Sequence, residues 1–196
     1  MNRTKIEWVK NPDGSQGYTW NPITGCLNHV NGLCKGGGFP YYAYKLANGR
    51  LKPLYLANKN WDTRTPEGYD DYPNLDPFYP RFWDNKLREG IFDLGRKPKG
   101  IFVCDMSDLF GIGIPDMWTK KVLAVCNVYP QHRFYLLTKQ PQNLIKFSPF
   151  PPNVYLGVTV TNQEMFDKAI CYLKMVDAKV KFLSMEPLLG RINLDP

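Results

Sequence analysis

From Gly100 onward, apolar runs of strand length alternate with segments of helical period, and no other feature of this 196-residue chain limits its fold so tightly. Ile101-Phe-Val-Cys104, Arg133-Phe-Tyr-Leu-Leu-Thr138, Asn153 to Val160 and Val180-Lys-Phe-Leu-Ser184 read as strands. Between them, Pro115 to Val128 puts proline at a first helical position and Trp118, Val122 and Val125 at helical spacing. Gln140 to Phe147 reads as a short helix and Asn162 to Met175 as a longer one. A parallel pair cannot be closed by a tight turn, so this rhythm means parallel strands joined by right-handed crossovers. The expected fold class is α/β, an incomplete or open TIM-like (βα) barrel.

In barrels and open sheets alike, the loops that leave the C-terminal ends of parallel strands build the site. Asp105, Ser107 and Asp108, then Thr138 and Lys139, then Thr159 to Asn162, and finally Glu186 should therefore share one face. Cofactor or substrate contact is one role for them. Turn and cap duty for Ser and Asp, and a solvated Lys139, are the structural alternatives. Glu186, just before Pro187, is placed to hydrogen-bond a ribose or an amino group.

The first hundred residues are less regular. Tyr18 to Pro22 suggests a short first strand, Tyr42 to Ala47 the start of a helix, and Asp84 to Glu89 a short helix. From about 58 to 85 the chain is dense in Pro, Asp, Tyr and Phe, and it reads as an irregular insertion packed by aromatic anchors. Trp61, Tyr69, Tyr72, Phe78, Tyr79, Phe82 and Trp83 could stack bases there, although packing is the commoner use of such rings. Residues 1–196 are expected to form a single domain.

The 25 Lys and Arg against 18 Asp and Glu leave a net charge of +7, which favours an anionic partner such as nucleic acid, a nucleotide or a carboxylate. No apolar run is long enough to cross a bilayer, and the basic N-terminus continues into Ile6-Glu7-Trp8 instead of a signal segment, so a cytoplasmic location is expected. Five cysteines, an odd number, argue against a disulfide framework.

Two of those cysteines, Cys26 and Cys34, sit on a glycine-rich loop directly after the first strand. Glycines allow the close backbone approach that a ligand or metal loop needs. Cys26, Cys34 and His29 fall short of the four ligands of a structural zinc, so metal ligation and ordinary reduced thiols both stay open. Cys104 is a further thiol at a strand end, with core packing as its simpler role.

Taken together, Thr4-Lys-Ile-Glu-Trp8, Trp20-Asn-Pro-Ile-Thr-Gly-Cys26, Cys34 to Ala43, Met106-Ser-Asp-Leu-Phe110, Leu137-Thr-Lys139, Leu156-Gly-Val158 and Leu183-Ser-Met-Glu-Pro-Leu-Leu-Gly190 resemble the phage-associated three-Cys-motif family of radical-SAM-like proteins, the DUF5131 type. The resemblance spans nearly the whole chain. It implies a TIM-like barrel with a 4Fe-4S cluster held by three thiolates after the first strand, and S-adenosylmethionine bound to the open iron and cleaved to a radical. Soft sulfur donors suit such clusters. Where the family pattern has its third Cys, just before Tyr42-Ala43, this chain has Tyr41, which leaves Cys26, Cys34 and Tyr41 as the implied metal set. A phenolate is a hard donor and replaces thiolate poorly, so a labile cluster or none is expected. The alternative function is a non-catalytic module that binds nucleic acid or protein on the same scaffold. An eight-stranded barrel usually needs about 250 residues, so the C-terminal part of the barrel is expected to be missing and its open edge to be covered by a partner or by self-association.

Overall fold

A computed structural model describes residues 1–34, 42–61, 72–89 and 95–194. Its N-terminal half contains β1 (Asn2–Arg3), β2 (Tyr18–Trp20), β3 (Ile23–Thr24), α1 (Asn28–Asn31), α2 (Tyr42–Asn48), α3 (Lys52–Ala57), α4 (Tyr72–Leu75), β4 (Arg81–Phe82) and α5 (Asp84–Glu89). The C-terminal half alternates β5 (Gly100–Val103), α6 (Asp116–Val128), β6 (Arg133–Thr138), a 3₁₀ helix (Pro141–Phe147), β7 (Val154–Thr159), α7 (Gln163–Lys174) and β8 (Val180–Ser184).

Six strands form one sheet in the order β1-β2-β5-β6-β7-β8, with β1 antiparallel and every other neighbour pair parallel. Spatial order follows chain order, as right-handed crossovers of constant sense require. Side chains alternate across the pleat. One face carries Ile101, Val103, Phe134, Leu136, Val154, Leu156 and Val158 into a core shared with Val122 and Cys126 of α6, Leu144 of the 3₁₀ helix and Ala169 and Leu173 of α7. The opposite face presents Phe102, Tyr135, Leu137, Tyr155 and Phe182, where Val9, Ile6 and Trp8 of the N-terminal segment pack. Among the described residues β8 pairs with β7 alone, so the sheet is open and mostly parallel and no closed barrel forms.

Local chemistry explains the boundaries. Pro115, expected from sequence to be the first helical residue, occupies the N-cap with extended backbone, so α6 begins one residue later, at Asp116. Asn162 caps α7 by accepting from the Met165 amide at 3.0 Å. The segment from Pro141 tightens into a 3₁₀ helix instead of an α-helix. Its Asn143 is drawn aside to donate to the Phe110 carbonyl at 2.8 Å.

Residues 62–71 of the aromatic insertion, including Tyr69, lie outside the described residues. In the rest, β3 and β4 pair as a small antiparallel ribbon, and Phe78, Tyr79 and Phe82 are buried as packing anchors. The fully buried Arg81 guanidinium donates to the carbonyls of Asn58, Asp76, Tyr79 and Pro73, tying the insertion to itself. Burial lowers its pKa to about 10, against the opposing charge of Asp76.

Candidate functional site at the strand ends

A cavity of about 630 Å³ opens beyond the C-terminal ends of β5 to β8, a volume suited to a small organic ligand. Asp105, Ser107, Asp108, Lys139 and Glu186 all line it, together with Thr159. Residues Lys5 to Trp8 supply another wall, and Tyr42 enters from the start of α2. Thr138 stands behind the pocket: it is buried, and its hydroxyl donates to Asp108 at 2.7 Å while accepting from the Gln140 amide at 2.9 Å.

Asp105 and Asp108 share a loop but have different environments. Cys104, the residue that turns the chain out of β5, has φ +59°, an unfavourable conformation for a non-glycine residue worth about 1–3 kcal/mol of strain. Its amide is fixed to the Trp20 carbonyl at 2.8 Å and its carbonyl to the Ser107 amide at 2.9 Å. The next side chain, Asp105, accepts from the Asn21 amide group at 2.6 Å and from the Tyr42 hydroxyl at 3.1 Å. Burial raises its pKa above the usual carboxylate value, against the opposing pull of those two donors. Tyr42 is pushed up by burial and by Asp105, so it stays a phenol and a donor.

Asp108 is buried and its carboxylate is saturated. One oxygen accepts from the Thr138 hydroxyl and, at 3.1 Å, from the Phe110 amide; the other accepts from the Lys139 amide at 2.9 Å and from Asn28 at 3.4 Å. Asn28 in turn accepts from Gln140 at 3.2 Å. This network joins the cysteine loop, the β5 loop and the end of β6, so Asp108 holds the pocket's frame while Asp105, Lys139 and Glu186 present its chemistry.

Gly25, just before Cys26, has φ +76°, and a Cβ there would lie 2.2 Å from the Phe78 carbonyl oxygen. Cys26 then packs among Ala43, Ala47, Tyr55, Phe78 and Met106. Burial pushes its thiol up to about 12, with nearby Asp108 adding to the effect. Cys34 is also buried and is raised by burial, with Lys139 opposing. Cys26 follows Gly25, whose amide donates to the Met106 carbonyl, and the Cys34 amide donates to the Asn28 carbonyl at 3.1 Å, so both thiols sit on a loop that Asn28 ties to Asp108 in the pocket wall. His29 does not join them. Its Nδ1 faces the Cys26 carbonyl at 2.8 Å and its Nε2 the Asp76 carboxylate at 2.8 Å, so both ring nitrogens meet acceptors. Cys104 lies in the main core, 2% exposed.

Tyr41 lies outside the described residues. Among the described residues no group of three or more His, Cys, Asp or Glu is arranged to hold a metal ion. A 4Fe-4S cluster needs soft thiolates at three irons, and here the loop offers two thiols raised by burial plus a phenol in the sequence. That donor set does not fit the cluster.

Sequence reasoning missed Asn21, Asn28 and Tyr42. Their partners lie 84, 80 and 63 residues away, and only the fold brings them together. No spacing rule could have found them.

These features define a parallel α/β protein with a ligand-sized pocket at its strand ends and two buried thiols beside it. The chain belongs to the family described as protein of unknown function (DUF5131), which matches residues 3–195. Comparison with curated proteins and with solved structures returned no match. No helix among the described residues is long and apolar enough to cross a membrane.

Proposed function

We propose that this chain is a radical-SAM-like protein that no longer holds the iron–sulfur cluster and uses its strand-end pocket to bind a small charged organic ligand. One observation carries the reading: Asp105, Ser107, Lys139 and Glu186, from the ends of β5, β6 and β8, line one 630 Å³ cavity next to a cysteine loop with only two thiols. A TIM-like barrel ancestry accounts for the strand order, in which each parallel strand neighbours the next in sequence. Without a third soft ligand no radical step is routed through a cluster, and the residues that remain bind and orient. Lys139 offers a cation to an anionic group, Asp105 and Glu186 accept from hydroxyl or amino groups, and Tyr42 stays protonated as a donor beside Asp105.

Anaerobic reconstitution with iron and sulfide tests this directly. The native chain is expected to remain colourless, and a Tyr41→Cys variant to gain the broad visible absorption of thiolate-to-iron charge transfer. A stable band in the native chain would overturn the proposal. A colourless variant would remove the cluster ancestry and leave only the pocket.

A further inference from the structure

The strand-end cavity continues onto the sheet. A second cavity of about 530 Å³ runs down the face opposite the helices, lined by Tyr135, Tyr155 and Phe182, and it shares Trp8, Ser184 and Glu186 with the first. The two form one trough with a polar mouth and an aromatic floor.

The floor is built from rings in a definite arrangement. Trp8 lies 5.6 Å from Tyr135 and 5.7 Å from Phe182, and Tyr135 lies 5.4 Å from Tyr155. A Cβ on Gly157 would come within 2.3 Å of the Phe182 ring, so that ring lies against bare backbone and keeps the floor low. At the far end of the strands, the Arg133 guanidinium sits 4.8 Å over the Tyr155 ring and donates to the Tyr135 hydroxyl at 3.2 Å. A parallel sheet normally has both faces covered, and among the described residues the segment around Trp8 is what packs on this one.

A ligand matched to the trough is flat and apolar on its faces and polar at its ends. An alkyl chain would satisfy the floor and leave the mouth's Asp105, Lys139 and Glu186 without purpose. We infer that the trough takes a nucleotide: a planar heteroaromatic ring lies among Trp8, Tyr155 and Phe182, and its sugar and phosphate reach the mouth. Aromatic platforms accept any base because every base has a π-face. The mouth sets Lys5 and Lys139 beside Glu7, Asp105, Asp108 and Glu186, so in this arrangement the phosphate lies at the two lysines, the carboxylates of Asp105 and Glu186 accept from the sugar hydroxyls, and the chain's net charge of +7 draws the anion in. This inference rests on the reading of the strand-end pocket as a ligand site.

The test is calorimetric titration of the full chain with adenosine 5′-monophosphate and with ribose 5-phosphate, which lacks the ring. The nucleotide is expected to bind at least about tenfold more tightly, the scale of one base–aromatic stack. Tyr155→Leu is expected to remove that preference and leave ribose 5-phosphate affinity unchanged. If Tyr155→Leu loses its cooperative melting transition, Trp8→Leu carries the same expectation. Equal affinity for the two probes, or no nucleotide binding at millimolar concentration, would overturn the inference. So would a sedimentation profile that shows a dimer dispersed by Tyr155→Leu, because a second copy would then be what covers the aromatic face. Iron–sulfur uptake by the native chain would sink the proposed function without touching ring selectivity; lost selectivity in a colourless chain would sink this inference alone.

Discussion

Asp108 shows how a residue can sit in a pocket wall and still be framework. Its carboxylate meets four donors from three parts of the chain, and none of its acceptor capacity is left idle. Asp108→Asn turns an acceptor oxygen into an NH₂ group that faces existing donors. It is expected to lower unfolding free energy by about 2–3 kcal/mol, measured by urea denaturation. Asp105, two donors and a raised pKa, is the contrasting case. Its folded form holds a proton more tightly than the unfolded chain does, so its stabilising contribution is present below the ordinary carboxylate value and lost as pH rises through the folded pKa. That cost of ionisation is what a cationic or hydroxyl-bearing ligand would offset.

At the scale of elements, the cysteine loop depends on one backbone conformation. Gly25 combines positive φ with a carbonyl contact that no Cβ can share, and its amide donates to the Met106 carbonyl at 2.9 Å while Ser107 donates to its own carbonyl. Gly25→Ala is expected to cost about 2–3 kcal/mol and to loosen protection of the amides from Cys26 to Asn28 in hydrogen exchange. The elements after Gly100 were legible because their apolar pattern has a clean period: β6 and β8 occur over the residues read from sequence, and β5, β7, α6 and α7 shift by one residue at their ends. The ends shift where caps decide, at Pro115, Asn162 and the strained Cys104. The N-terminal half was less legible. The β3–β4 ribbon joins strands far apart in sequence and the buried Arg81 reaches back 23 residues to the Asn58 carbonyl, just after α3, so neither has a periodic signature.

For the whole molecule, the convergence of the strand-end loops followed from parallel topology, and six of the strand-end residues named from sequence, Thr159 among them, line one cavity. The aromatic trough did not follow, because Trp8 reaches it from a segment that precedes the first strand of the parallel array. Stability should also respond to pH through His132, which is buried, accepts from the Lys99 amide at 3.2 Å, and has Nε2 without a hydrogen-bond partner among the described residues. Burial and the Lys99 charge lower its pKa below 6.5. The folded state therefore resists protonation that the unfolded chain accepts, and stability is expected to fall as pH drops below 6.5, until the folded pKa is passed. Melting temperature followed between neutral and mildly acidic pH, with His132→Gln as the comparison, checks this: the variant should show the shallower decline.

Cys26 and Cys34, with Tyr41 in place of a third cysteine in the sequence, are expected not to hold a cubane cluster. Iron and acid-labile sulfide content of the native chain, purified without oxygen, measures it most directly. The expected content is well under one iron per chain. Four irons and four sulfides per chain, the content of an intact 4Fe-4S cluster, would contradict it.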